Sequence, residues 1–108
     1  MATQMESSVT REATDKLRVE RRDAAFLFFL RETDVFVGSC VVISDVVENI
    51  VVQPEHRRQG YGQEMLAFAV ELGARRALAA SEEGAALLLA CGWQPPKRGK
   101  WWRHVSDR

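Results

Sequence analysis

The sequence predicts a mixed α/β fold: an antiparallel meander, then a helix, a short strand, a second helix and a final strand. Three observations carry this. Three apolar runs of strand length follow one another with turn residues between them. A basic, glycine-punctuated loop joins the third run to a segment of helical periodicity, and a second apolar helix ends at a glycine followed by tryptophan.

The first strand of the meander is the phenylalanine-rich run Ala24 to Leu30, and the second is Val35 to Ile43, with Thr33-Asp34 as the turn between them. Ser44-Asp45 makes the next tight turn, and Val46 to Val52 is the third strand. Pro54 ends it, because proline has no N–H to give to a central ladder. Helical periodicity then runs from Gly62 to Arg75, with Met65, Leu66, Ala69, Val70 and Leu72 on the apolar face and Gly73 near the end. Arg76 to Ala80 reads as a short strand. Ser81 suits the N-cap of a helix from Glu82 to Ala90, whose two leading glutamates favour its positive end, and Gly92 stops it. Gln94 to Gly99 is a loop, and Lys100 to Val105, with Trp101 and Trp102, is the last strand.

A chain of 108 residues has room for one core. Residues 1–22 are expected to form a polar, partly disordered N-terminal segment, with at most a short helix or strand near Lys16 to Val19, and residues 23–108 the folded domain. Fifteen basic and fifteen acidic side chains cancel, so no overall field draws the protein to nucleic acid or to an anionic membrane. The basic and aromatic cluster Lys97, Arg98, Lys100 to Arg103 is read as a turn flanking a strand rather than a nucleic-acid platform. No run has signal-peptide or transmembrane character, which makes the cytoplasm the expected compartment. Cys40 and Cys91 read as separate thiols in apolar surroundings. His56 and His104 lack cysteine partners at zinc-ligand spacing, so no metal is expected.

The loop Val52-Gln53-Pro54-Glu55-His56-Arg57-Arg58-Gln59-Gly60-Tyr61-Gly62 carries the chemistry. A helix start presents unpaired N–H groups and a partial positive charge, which can hold an anionic pyrophosphate through main chain. Gly60 and Gly62 would let the backbone approach phosphates, while Arg57 and Arg58 add charge.

With these residues in place, the sequence resembles the Gcn5-related N-acetyltransferase (GNAT) superfamily, which moves an acetyl group from acetyl-coenzyme A to an amine. The family's loop signature, Arg or Gln, two residues, Gly, one residue, Gly or Ala, is matched by Arg57, Gly60 and Gly62. Val52 and Pro54 match the Val-x-Pro before it. The hydrophobic helix that follows is the second likeness, and Ala85 to Trp93 resembles the family's second helix with its terminal Gly-aromatic pair. The resemblance spans roughly residues 24 to 105 and implies a GNAT-like fold. It implies that main chain at Ile50, Val51 and Val52 pairs with the pantetheine arm. It also implies that Arg57 and the loop from Arg58 through Gln59, Gly60, Tyr61 and Gly62 to Gln63 hold the pyrophosphate of acetyl-coenzyme A.

Two departures follow from the same comparison. Many members carry an Asn at the start of the second helix and, seven residues on, a Tyr that protonates the departing thiolate; Ser81 and Leu88 stand at those positions. A thiol pKa of about 8.5 makes coenzyme A a tolerable leaving group without that acid. A general base is still required, because a lysine-like amine with a pKa of about 10.4 is mostly protonated at neutral pH. Glu48 is the candidate. Its alternation with Ile50 and Val52 also fits a solvated or ion-paired strand residue, while Asp45 and Asn49 fall on the opposite face unless a bulge intervenes. The second departure is the strand and two helices that family members place before the equivalent of Ala24. About twenty polar residues cannot supply that acceptor wall. The acceptor site is then open to a protein lysine or N-terminus, or a second subunit or partner protein closes it over a smaller amine. Two functions fit: an acetyl-coenzyme A-dependent N-acetyltransferase acting on a primary amine, and a non-catalytic acetyl-coenzyme A sensor that docks on a partner protein.

Overall fold

The computed structural model describes residues 16–105. Six strands form one sheet in chain order: β1 Leu17–Arg22, β2 Ala25–Leu30, β3 Phe36–Ile43, β4 Val46–Val52, β5 Arg76–Ala77 and β6 Trp102–Arg103. A 3-10 turn, Pro54–His56, follows β4; α1 is Tyr61–Glu71 and α2 is Glu82–Ala90. The first four strands are antiparallel, β5 runs parallel to β4, and β6 returns antiparallel beside β5.

The expected meander is there with a fourth strand added in front. Leu17–Arg22, which the sequence assigned to the polar N-terminal segment, pairs with β2 over its whole length. The strand is longer than the short helix or strand expected near Lys16 to Val19, for a physical reason: Leu17 and Val19 are buried, but they alternate with Arg18 and Glu20, so the strand looks polar in composition while its inner face is apolar. The remaining residues of that segment, 1–15, lie outside the described residues. Arg18 stacks over Phe29 at 4.5 Å and bonds to Glu20 and Asp34. Both expected turns hold a left-handed residue, Asp34 (φ 65°) and Ser44 (φ 57°).

Helix α1 lies over the meander. Phe68 is 4% exposed and meets Phe26 and Phe28 edge-on at 5.3 and 5.5 Å between ring centroids. Burying such a side chain stabilises the domain by about 1.5–3 kcal/mol. The expected apolar face shifts accordingly: Phe68 is central to it, and Leu72, at the helix C-cap, is 44% exposed. Helix α1 stops four residues before the expected Arg75 because Gly73 adopts φ 110°. Its N–H donates to Val70 O and that of Ala74 to Ala69 O, the paired bonds of a Schellman cap.

The C-terminal strands are shorter than expected. After Ala77 only the N–H of Leu78 reaches back to β4, at Val47 O, and residues 78–80 leave the sheet. Trp102 of β6 enters the core, whereas Trp101, just before the strand, is half-buried beneath the Arg76 guanidinium, 4.9 Å from its ring centroid.

Candidate functional site

Strand β4 has two unlike edges, and the site lies along the open one. Its β3 edge is paired from Val46 to Val52, but on the other side β5 meets only Val46 and Val47. From Glu48 onward that edge parts from residues 78–81. A bulge accompanies the parting. Ser39 pairs with Val51 and Val41 with Glu48, so Asn49 and Ile50 together oppose the single residue Cys40, and Asn49 takes φ 58°.

The bulge corrects the expected alternation. An extra residue moves everything beyond it to the other side of the sheet. Glu48 therefore does not share a face with Ile50 and Val52. Ile50 is buried in the core, whereas Glu48 is half-buried and opens on a separate cavity.

A cleft of 690 Å³ begins where β4 ends. Ile50, Val51 and Val52 form one wall; His56, Arg57, Arg58 and Gly60 form the loop side; Gly62 and Gln63 come from the start of α1. The loop is shaped by Pro54, which starts the 3-10 turn, and by two left-handed residues, Arg58 (φ 66°) and Gly60 (φ 88°), which aim the chain into α1. Gly60 is the N-cap and no side chain bonds to the helix start. The Glu64 N–H bonds back to Gly60 O at 3.2 Å, leaving the amides ahead of it, at Tyr61 to Gln63, without intrahelical acceptors. These are the groups that can bind an anion.

The two glycines have different duties. A Cβ on Gly60 would meet nothing within 4 Å, so what that position needs is its left-handed backbone. A Cβ on Gly62 would lie 2.9 Å from both methyl carbons of Leu87, so Gly62 allows α2 to close on α1. Of the residues expected to hold a cofactor, Ile50, Val51, Val52, Arg57, Arg58, Gly60, Gly62 and Gln63 line the cleft, while Gln59 and Tyr61 do not. The Gln59 amide donates to Glu55 O at 3.4 Å, and the Tyr61 ring lies 6.2 Å from that of His56 and packs on the core.

Arg57 braces the cleft mouth. Its Nε donates to Val52 O at 2.9 Å and its Nη1 lies 3.9 Å from the Glu83 carboxylate of α2. The second contact is exposed and weak, so the guanidinium can turn to another anion at little cost.

The opposite wall comes from the start of α2: Ser81, Glu83, Gly84, Ala86 and Leu87. Ser81 is the expected N-cap, its Oγ accepting from the Gly84 N–H at 3.1 Å. The sequence reading passed over Glu83, Ala86, Leu87 and His56 as wall residues. Glu83, Ala86 and Leu87 stand at i, i+3 and i+4 and so share a face, a spacing that could have been read in advance.

Leu88 lies a further step round that helix and is completely buried. It is absent from the cleft wall and sits in the C-terminal cap, where the Trp93 N–H donates to Leu88 O and the Gly92 N–H to Leu89 O. The Gly92-Trp93 pair is thus a second Schellman cap. Gly92 turns left-handed at φ 85°, and buried Trp93 bonds back to the backbone of buried Leu88.

A second cavity, 610 Å³, lies on the other side of the parting, bounded by Glu48 and Asn49 of β4, by Leu78, Ala79 and Ala80, and by Pro96, Lys100 and Trp102. The chain passes from one cavity to the other between Asn49 and Ile50 and again between Ala80 and Ser81, so the two adjoin where β4 and residues 78–81 diverge. Asp45, the other carboxylate near β4, is engaged elsewhere. The Arg76 guanidinium bonds it at 2.9 and 3.3 Å and holds its carboxyl below the usual range. Burial pushes the Cys40 thiol up to about 12, which leaves it neutral and unreactive at ordinary pH. Among the described residues, no group of three or more His, Cys, Asp or Glu is placed to hold a metal, and no helix is long and apolar enough to cross a membrane.

The fold is thus a mixed α/β sheet whose fourth strand parts from its neighbour beside an uncapped, glycine-led helix start. Residues 2–93 match the model of the acetyltransferase (GNAT) family, and the chain belongs to that family. Three solved structures share the fold. An acetyltransferase (GNAT family) from Bacillus anthracis superposes with a TM-score of 0.52 at 17% identity, over 73% of this chain and 61% of that one. A protein assigned as a ribosomal-protein-serine acetyltransferase from Vibrio cholerae gives 0.51 at 22% identity, over 73% and 60%. One assigned as an acetyltransferase from Exiguobacterium gives 0.51 at 21%, over 82% and 71%. The chain thus spans about three fifths of the length of the first two. No curated protein matches it.

Proposed function

We propose that the protein is an N-acetyltransferase that moves an acetyl group from acetyl-coenzyme A to a primary amine by direct attack. One observation carries this reading: a single cleft joins the unpaired edge of β4 at Ile50 to Val52 with the basic loop and the uncapped start of α1. An extended amide-bearing arm ending in a pyrophosphate fits that cleft. Main chain at Ile50 to Val52 would pair with the pantetheine arm, and the amides from Arg58 to Gln63, with the guanidinium groups of Arg57 and Arg58, would hold the pyrophosphate. Bound there, acetyl-coenzyme A supplies the acetyl thioester.

The acceptor enters from the second cavity, which adjoins the cleft at Asn49 and Ile50. Glu48 faces that cavity and serves as the base, taking a proton from the acceptor ammonium so that a nitrogen lone pair is available. Leu88, at the position where many family members carry the acid Tyr, is apolar and buried, so the departing thiolate relies on its own low basicity. Glu48→Gln should lower the rate of amine-dependent thiol release about 100-fold, with acetyl-coenzyme A affinity unchanged by calorimetry. An unchanged rate would remove Glu48 from the mechanism.

The buried Leu88 equally suits the alternative reading, a sensor that binds acetyl-coenzyme A and docks on a partner protein without turnover. Tight cofactor binding with no thiol release from any amine would select it.

A further inference from the structure

The geometry points to the class of acceptor: a zwitterion, a small amine that also carries a carboxylate, held between Glu48 and Lys100. This rests on the acetyltransferase reading and adds to it what the second cavity selects.

Two opposite charges stand on the walls of that cavity, Glu48 from β4 and Lys100 from the C-terminal loop. Neither makes a hydrogen bond or ion pair with any described residue, to each other or to a third group. Two neighbouring charges beside β4 are engaged, Asp45 with Arg76 and Arg57 with Val52 O and Glu83. The rest of the lining is apolar, Leu78, Ala79, Ala80, Pro96 and Trp102, apart from Asn49.

The order of the charges fixes the orientation of the ligand. The two cavities meet where β4 passes from Asn49 to Ile50, so the ammonium end is assigned to Glu48, the charge that β4 itself contributes. Lys100 belongs to a loop that contributes nothing to that cleft, so the carboxylate lies away from it. A cavity of 610 Å³ is larger than a bare amino group requires and leaves space for a side chain against Leu78 and Trp102. In the transfer, Glu48 takes the first ammonium proton, the amide C–N bond forms, the thioester C–S bond breaks, and the second nitrogen proton passes to the departing thiolate. Lys100 is a specificity residue that stays outside the bond changes.

The test compares matched acceptors that differ only in the carboxylate: phenylalanine with phenethylamine, and leucine with isoamylamine. Thiol release is followed with the full chain, as wild type, Lys100→Ala and Lys100→Glu, and coenzyme A is titrated calorimetrically into each sample. The wild type should favour the carboxylated member of each pair at least tenfold in kcat/KM. Lys100→Ala should remove that preference through KM, Lys100→Glu should reverse it, and coenzyme A affinity should stay constant throughout. Equal use of both members by the wild type, or a preference that survives Lys100→Glu, overturns the inference while leaving the acetyltransferase reading standing. Absence of coenzyme A binding, or binding without release from any amine, overturns both.

Discussion

The two edges of β4 differ in what their residues are for. Along the β3 edge the strand is paired from Val46 to Val52 around one bulge that turns Glu48 away from Ile50, and Gly38 lets the backbones approach so closely that a Cβ there would lie 2.3 Å from Val51 O. Along the other edge the pairing ends after two residues, and two cavities flank the gap. The same strand serves as scaffold on one side and as binding surface on the other. Unpaired main chain can be spared on the second edge because the first holds the strand in place.

Substitutions on the two edges should therefore separate stability from binding. The largest effect is expected on the paired edge. Gly38→Ala sets a methyl against a main-chain oxygen that cannot turn aside, and should cost about 3 kcal/mol or more in denaturant unfolding. Gly60→Val, on the open side, forces a β-branched residue into φ 88°, with an expected loss of about 1–2 kcal/mol. There the readout is binding: calorimetry should show acetyl-coenzyme A affinity reduced at least tenfold as the loop moves to relieve the strain. Gly62 would blur that comparison, because a side chain there pushes on Leu87 and disturbs the helix packing as well as the loop.

Arg57→Ala should sharpen the contrast. It removes an exposed brace on Val52 O and a cation at the cleft, so stability should change little while affinity falls several-fold, and less at high salt. The smallest effect belongs to Ser81→Ala, which removes the cap on the α2 start and should cost about 1 kcal/mol by chemical denaturation.

Much of this arrangement was legible in the sequence, and the gaps have physical causes. The three strands with tight turns, the N-cap at Ser81 and the span of α2 could be read because local chemistry decides them: turn residues, an oxygen to cap amides, a glycine to end a helix. Eight of the ten expected cofactor-contact positions line the cleft because they follow one another along a strand and a loop. The face of Glu48 was not legible. It depends on the Asn49 bulge, which exists only through pairing with β3, and nothing local to Val47-Glu48-Asn49 announces it. That Lys100 and Glu48 line one cavity is likewise tertiary, joining segments some fifty residues apart. Leu88 shows a different limit. Counting back from Gly92-Trp93 reached the right helix, but that pair marks a cap whose inner partner is buried, so the counted position faces the core.

The central claim is that the open edge of β4 and the start of α1 form a donor site serving an acceptor beside Glu48. Calorimetric titration of the protein with acetyl-coenzyme A and with coenzyme A, followed by thiol release in the same cell on adding amines, tests it most directly. Saturable binding of both, with release that depends on the amine, is the predicted result; no binding of either would contradict the assignment of the Gly60 loop and the account built on it.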